Sequence, residues 1–132
     1  MKKLLLLTFI CFTSLPSFAQ AKTYLFNYGK VYEDGSVKNE SRLVGESMVI
    51  DEAAKKITLV EIEGANEIFK IIFSYPMENN ENGTVYACDM PSVSGGFARV
   101  HIYHDRFFKS IKIAGRNQNI TGLQNFVQYQ YK

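Results

Sequence analysis

Apolar and polar residues alternate along most of this chain, and this period of two is typical of β-strands that have one buried face. The alternation is clearest over residues 67–75. One face there is entirely apolar and the other is mixed, with Phe69, Ile71, Phe73 and Tyr75 against Ile68, Lys70, Ile72 and Ser74. This split predicts one buried face and one largely solvated face. No segment shows a convincing helical stripe with a period of 3.6 residues.

Eight strands are predicted, separated by short segments that are rich in turn-forming residues. They cover residues 24–32, 42–50, 57–62, 67–75, 84–89, 97–103, 107–114 and 124–131. Asp34-Gly35 predicts a tight hairpin turn, and Asn82-Gly83 is expected to supply residues with positive φ for another. The segment 51–56 is too short to hold a helix by itself, so it predicts a hairpin loop, with a single helical turn as the alternative.

An all-β fold follows from this pattern, as a single antiparallel domain of about eight strands. Two architectures are compatible with it, an up-and-down barrel and a two-sheet sandwich. The first and last predicted strands are rich in aromatic residues and are expected to pair with each other. That pairing would close the sheet and remove two exposed edges.

The first 19 residues have the order of a secretory signal peptide. Two lysines precede the apolar run 4–12, and Pro16 is followed by small residues at positions 17 and 19, where a signal peptidase reads the chain. The nine-residue run is well short of the ~20 residues that span a bilayer, so cleavage is expected rather than anchoring. We therefore predict two parts: 1–19, a cleaved signal peptide, and 20–132, a single β-rich domain without a membrane span.

Such a domain is expected to be exported, to the periplasm or to the extracellular space. In its strand number and exported setting it resembles the small lipocalin-type barrels in architecture, although no lipocalin sequence motif occurs. The resemblance implies a barrel-like fold and carries no implication for individual residues.

Removal of the signal peptide changes the charge and the cysteine count. The full chain has 15 Lys and Arg against 13 Asp and Glu, and Lys2 and Lys3 leave with the signal, so the 113 remaining residues carry 13 charges of each sign. A neutral chain with interspersed charges gives no electrostatic reason to expect nucleic acid binding. Cys88 is left as the lone cysteine, which excludes an intramolecular disulfide, and it is interpreted as a buried small apolar residue.

No motif predicts catalysis, a metal site or a cofactor. His101 and His104 are three residues apart, and in a strand they point to opposite faces, so a shared metal ion would require a bend between them. Ser92 or Ser94 can be combined with His104 and Asp105 into a triad on paper. A nucleophile elbow is absent, however, and adjacent His and Asp residues rarely make the orienting hydrogen bond. We expect no enzyme activity, no catalytic residue, no metal and no cofactor.

The strand predicted at 97–103 offers a candidate binding surface. One face carries the apolar set Ala98, Val100 and Ile102, and the other carries the candidate binding residues Phe97, Arg99, His101 and Tyr103. If the apolar set faces the core, the second set is an exposed stripe of aromatic and basic residues, and Tyr and Arg are enriched at binding hot spots. Ordinary cross-strand pairing is the other interpretation.

These observations favour a non-enzymatic exported binding module for a small apolar ligand in the barrel, or for a peptide or glycan on a sheet face. A cavity lined by Phe69, Ile71 and Phe73 would favour the small ligand. The alternative is a surface interaction or inhibitor protein of the cell envelope, which a filled core with an exposed aromatic patch would favour. A hydrolase is the third candidate, favoured by a cleft that brings His101 or His104 together with acidic residues.

Overall fold

The computed structural model of the chain describes residues 20–91, 96–115 and 125–132, and these residues form nine antiparallel strands. The strands are β1 (Lys22–Glu33), β2 (Ser36–Arg42), β3 (Ser47–Asp51), β4 (Lys56–Val60), β5 (Glu67–Pro76), β6 (Gly83–Pro91), β7 (Phe97–Asp105), β8 (Ser110–Gly115) and β9 (Phe126–Tyr131). Within these ranges we find no helix with the length and apolar character that crossing a membrane requires. The predicted all-β fold is confirmed.

Eight of the strands close into a barrel. Strands β3 to β9 are neighbours in chain order, and β1 pairs with both β3 and β9. The closing pair runs from Phe26 opposite Tyr131 to Tyr32 opposite Phe126. The predicted pairing of the first and last strands is therefore confirmed, and the barrel is the architecture that forms. Closure satisfies backbone groups that an open sheet leaves at its edges.

Strand β2 lies outside the closed barrel and is missing from the predicted strands. It pairs with the second half of β1, whereas the first half of β1 pairs with β3. All seven β2 side chains are exposed, so no buried face imposes an alternating pattern on its sequence. The turn between β1 and β2 is confirmed: Asp34 and Gly35 have φ values of 51° and 79°, as in a two-residue hairpin turn of type I′.

A β-bulge in β5 overturns the predicted division of faces. Ile71 pairs with Cys88 but Phe73 pairs with Ala87, so the register shifts by one residue between them. Phe69 and Ile71 are buried in the barrel, whereas Phe73 and Tyr75 lie on its outer face with exposed fractions of 51% and 41%. The prediction of one continuous buried face was wrong because a bulge inverts the facing of every residue beyond it.

Side chains fill the interior of the barrel. The buried cluster draws on seven of the strands and consists of Phe26, Met48, Ile50, Ile57, Leu59, Phe69, Ile71, Tyr86, Cys88, Val100, Ile102 and Ile111. Val100 and Ile102 face inward, which is the condition on which the candidate binding surface of β7 was predicted. Because Phe69 and Ile71 belong to this packed cluster and Phe73 lies outside it, these three residues do not line a common cavity.

Two predicted strands begin too early. The segment 42–50 becomes a strand of the barrel only at Ser47, because Gly45, with φ of 84°, lies in the bend between β2 and β3. Phe107 and Phe108 belong to a turn rather than a strand, and β8 starts at Ser110. In both places apolar residues at exposed positions (Val44 in the first, the two phenylalanines in the second) imitate the pattern of a strand.

Gly83 begins β6 where it packs closely against Met77. The predicted positive φ at Asn82-Gly83 was wrong: in this loop the positive φ, 56°, is at Asn79. A Cβ atom on Gly83 would lie 2.6 Å from the Met77 Cβ atom, and both residues are buried. Glycine is required here for close approach rather than for its backbone freedom.

Replacing Gly83 by Ala is expected to lower the free energy of unfolding by about 1–3 kcal/mol, because the added methyl group overpacks this contact. Urea unfolding followed by circular dichroism measures the change. Gly115→Ala is the matched control, since a Cβ at Gly115 meets no atom of the described residues within 4 Å. Equal midpoints for the two variants would contradict the proposed role of the contact.

Candidate functional site

A pocket of about 580 Å³ opens at one end of the barrel, which we call the mouth. The mouth is where β1 and β6 begin and where β3, β7 and β9 end. The pocket lies above the filled core and is lined by Gln20, Ala21, Lys22, Tyr24, Ile50, Glu52, Thr84, Tyr86, His104 and Arg106. Charged side chains from the start of β1 and from two turns thus surround a floor that is aromatic and aliphatic.

His104 forms part of this floor, at the inward-facing end of β7. Its side chain is 1% exposed, and its Nε2 atom lies 2.7 Å from the Tyr131 hydroxyl oxygen. The edge of the Tyr24 ring packs against it, with ring centroids 4.7 Å apart. Burial lowers the pKa of His104 to about 4, and the Arg106 charge lowers it further. The imidazole is therefore neutral at pH 7 and serves as a hydrogen-bonded core residue.

A second hydrogen bond ties the β3–β4 turn to the barrel wall. The Tyr86 hydroxyl donates to Glu52 Oε1 across 2.7 Å. Burial raises the pKa of Tyr86, and the hydrogen bond to Glu52 raises it further, so the hydroxyl keeps its proton at neutral pH. Glu52 is exposed at the rim, and this bond holds its carboxylate beside the pocket.

Two cations complete the rim. Arg106 Nη1 donates to the Thr84 hydroxyl oxygen across 2.9 Å, which uses one of the five N–H donors of the guanidinium. Across the described ranges, no carboxylate lies within ion-pair distance of Arg106. Lys22 lines the same pocket and, like Arg106, lowers the pKa of His104 through its charge. The pocket therefore has two cations against the single carboxylate of Glu52.

The candidate binding residues of β7 lie elsewhere, on the outer face of the barrel. Arg99 is half-buried and its Nε atom lies 2.6 Å from Asp89 Oδ1. His101 is half-buried, and the centroid of its ring lies 6.2 Å from the centroid of the Tyr103 ring. Tyr103 is buried, which raises the pKa of its hydroxyl. The Phe97 side chain lies outside the described part of the chain. These residues follow one another along β7 as predicted, but Tyr103 is not exposed.

Tyr103 belongs to a small apolar cluster on this outer face. Met77, Val85, Tyr103 and Ala114 are buried together, with Phe126 packed against them. Phe73 and Tyr75 stack beside the cluster with ring centroids 5.9 Å apart and remain exposed. We call Phe73 and Tyr75 the outer aromatic pair. The structure thus has a filled core together with an exposed aromatic pair, the combination that was expected to favour a surface interaction protein.

His104 continues the alternating pattern of β7, but the strand predicted at 97–103 stopped one residue before it. Val100, Ile102 and His104 alternate along β7 and all three face inward. The predicted opposite facing of His101 and His104 is confirmed. Glu52 and Arg106 carried no such signal, because each lies in a turn and reaches the pocket only after the barrel closes.

Among the described residues, no three His, Cys, Asp or Glu side chains are grouped so that they could hold a metal ion. Comparison of the chain with protein-family models, with curated proteins and with solved structures found no match. The assignment of function therefore rests on the geometry of the pocket and of the surrounding surface.

Proposed function

We propose that this protein is a non-enzymatic binding module, exported from the cytoplasm after removal of residues 1–19, whose ligand is a small organic anion held at the mouth of the barrel. The observation that carries the proposal is the pocket of about 580 Å³ above a filled core. Its size lies within the range of small-molecule sites, which typically enclose about 300–1,000 Å³. The ligand sits at the mouth because the interior is occupied.

The lining supports an amphipathic ligand. Ile50 and the half-buried ring of Tyr24 offer apolar contact, and Thr84 offers a hydroxyl. The charged rim favours an anion, since Arg106 and Lys22 outnumber Glu52 and the Glu52 carboxylate already accepts the Tyr86 hydroxyl. A guanidinium binds carboxylate, sulfonate or phosphate oxygens through paired donors.

Binding without catalysis is supported by the state of the titratable groups. His104 and Glu52 line one pocket, but His104 is hydrogen-bonded to Tyr131 and Glu52 accepts its bond from Tyr86. A histidine with a pKa of about 4 is a weak general base at neutral pH. Export is supported by the order of charged, apolar and small residues at the N-terminus.

Three probes that share one ring system and differ in charge test the proposal: 2-naphthoate, 2-naphthamide and 2-naphthylmethylammonium. With residues 20–132, which contain all nine strands, we expect 2-naphthoate to bind about tenfold more tightly than the amide, because hydrogen bonds to a charged group are the stronger kind. The amine is expected to bind most weakly. Isothermal titration and the shift in melting temperature measure this order.

Two pairs of variants locate the binding. Thr84→Tyr fills the mouth and should abolish binding, whereas Thr58→Tyr, on the outward face of β4, should not. Arg106→Gln should remove the preference for naphthoate, whereas Arg42→Gln on exposed β2 should retain it. Absence of binding by all three probes would overturn the binding proposal. Equal binding of acid and amide, still abolished by Thr84→Tyr, would overturn only the anion preference.

Interaction through the outer surface is the second candidate function, and the outer aromatic pair favours it. Phe73 and Tyr75 remain exposed beside a buried apolar cluster, which is the arrangement of many protein contact sites. Under this alternative, Phe73→Ser weakens association with a partner protein, and the mouth pocket binds no ligand. The three naphthalene probes separate the two functions, because only binding at the mouth predicts that a probe binds and that Thr84→Tyr abolishes this binding.

A further inference from the structure

The turn between β7 and β8 presents two phenylalanines to solvent at the mouth end of the barrel. Residues 106–109 form this turn, which we call the tip. Phe107 and Phe108 have exposed fractions of 70% and 69%, and their rings meet edge to face with centroids 5.0 Å apart. Two adjacent phenylalanines that bury so little of their surface contribute little to the stability of the fold.

Other groups form the turn itself. Asp105 Oδ1 accepts the backbone N–H groups of Phe107 and Phe108 at 3.0 and 3.1 Å. Asp105 Oδ2 accepts from Asn80 Nδ2 at 2.9 Å, which fastens the turn to the β5–β6 loop. The positive φ of 50° that the turn needs is at Lys109. The Asp105 side chain and the Lys109 backbone thus satisfy the turn, and the two phenylalanine side chains are held outward without a structural role.

The charges at the tip suit one kind of partner. Arg106 precedes the phenylalanine pair and Lys109 follows it, and both are exposed. The nearest carboxylate, Asp105, is engaged by three hydrogen bonds within the loops. Apolar rings flanked by cations match the interface of an anionic lipid bilayer, where rings enter the headgroup region and cations meet the lipid charge.

We propose that the tip docks the barrel onto an anionic lipid surface. Phe107 and Phe108 enter the interface, and Arg106 and Lys109 contact the headgroups. Two weak signals, one apolar and one basic, together give reversible binding, whereas either alone is marginal. Because the tip and the mouth share one end of the barrel, docking turns the pocket toward the bilayer. Arg106 also lines the pocket, so the inference rests on Phe107, Phe108 and Lys109, none of which does.

The absence of tryptophan from this chain allows a direct test. Phe107→Trp places the sole tryptophan at the tip, and Phe73→Trp places it in the outer aromatic pair as the matched control. The variants of residues 20–132 are mixed with vesicles of three parts phosphatidylcholine to one part phosphatidylglycerol. For Phe107→Trp we expect a blue shift of the tryptophan emission and loss of its quenching by iodide. We expect no change for Phe73→Trp and no effect of pure phosphatidylcholine vesicles on either variant.

Vesicle flotation then separates the apolar contribution to lipid binding from the basic one. Phe107→Ser with Phe108→Ser is expected to reduce binding about tenfold or more, and Lys109→Gln several-fold, through loss of apolar insertion and of one charge. Lys38→Gln, on exposed β2, is expected to have no effect.

Three results would overturn the proposal. The first is that no anionic vesicle binds, and the second is that the tryptophan of the Phe73→Trp variant responds to vesicles while that of the Phe107→Trp variant does not. The third is shielding of the tip tryptophan that grows with protein concentration in the absence of vesicles, which would indicate contact between two copies of the chain instead.

Discussion

Lowering the pH from 6.5 to 4 is expected to cost this protein about 3 kcal/mol of stability through His104 alone. The pKa of His104 is about 4 in the folded protein against 6.5 for an unperturbed histidine. Between these values the unfolded chain binds a proton that the folded chain does not. The contribution is therefore fully present above pH 6.5 and is lost as the pH falls toward 4.

The groups around His104 explain the direction of the shift. Burial is the largest cause, and the charges of Arg106 and Lys22 lower the pKa further, whereas Asp105 and Glu52 act in the opposite direction. The imidazole also contacts the rings of Tyr24 and Tyr131, which remain neutral over this pH range because burial raises the pKa of each phenol. Within the described part of the chain no carboxylate forms an ion pair with His104, so protonation favours the unfolded state.

Urea unfolding at a series of pH values measures this dependence. His104→Gln keeps a hydrogen-bonding group near Tyr131 but does not titrate, so the difference in stability between the two proteins should narrow as the pH falls from 6.5 to 4. Thr58→Gln, on the outward face of β4, changes no titratable group and should keep the full slope of the original chain. A parallel pH dependence for the original chain and His104→Gln would show that His104 is not the group that titrates.

Cys88 is expected to react with a disulfide reagent about a thousandfold more slowly than a free thiol at pH 8. Its side chain is fully buried, and burial raises its pKa from 9.0 to about 12, with a smaller contribution from the Asp89 charge. The reactive species is the thiolate, so a pKa three units higher reduces that species by about three powers of ten. Steric burial slows the reaction further.

Ellman's reagent added to residues 20–132 provides the measurement, since Cys88 is the lone cysteine in this part of the chain. In concentrated guanidinium chloride the same thiol should react as a model thiol does. The combination Cys88→Ala with Ser41→Cys moves the thiol to exposed β2 and should react at the model rate in the folded protein. Reaction of Cys88 within tenfold of that control would contradict its burial. The interpretation of Cys88 as a buried apolar residue agrees with its place in the core cluster.

Each of the eight strands of the closed barrel left an apolar pattern in the sequence, although that pattern misplaced the starts of β3 and β8 and the outer half of β5. Val100 and Ile102 face the core because every second residue of β7 does, and the aromatic strands β1 and β9 pair because they are the two remaining edges. Strand β2 has no buried face and left no pattern. The bulge in β5 was hidden because Ile72, at the point of the register shift, is apolar like its neighbours and fits either face.

The candidate site was far less accessible from the sequence than the fold. Lys22, Glu52, Tyr86 and Arg106 lie in four separate segments, and none of them forms a motif with its sequence neighbours. They meet because closure of the barrel brings the start of β1 beside the ends of β3 and β7. The tip was hidden for a different reason: its two phenylalanines have the composition of a strand, and their exposure follows from the hydrogen bonds of Asp105.

The first and last strands meet at the mouth, and this arrangement makes the chain suitable for circular permutation. Phe26 lies opposite Tyr131 in the closing pair, and the Tyr24 and Tyr131 rings are 4.8 Å apart. A short linker can therefore join the end of β9 to the start of β1, with new termini at the Asp34-Gly35 turn on the opposite end of the barrel. Such a permutant keeps every strand pairing while its linker crosses the pocket, so it separates the stability of the barrel from the accessibility of its mouth.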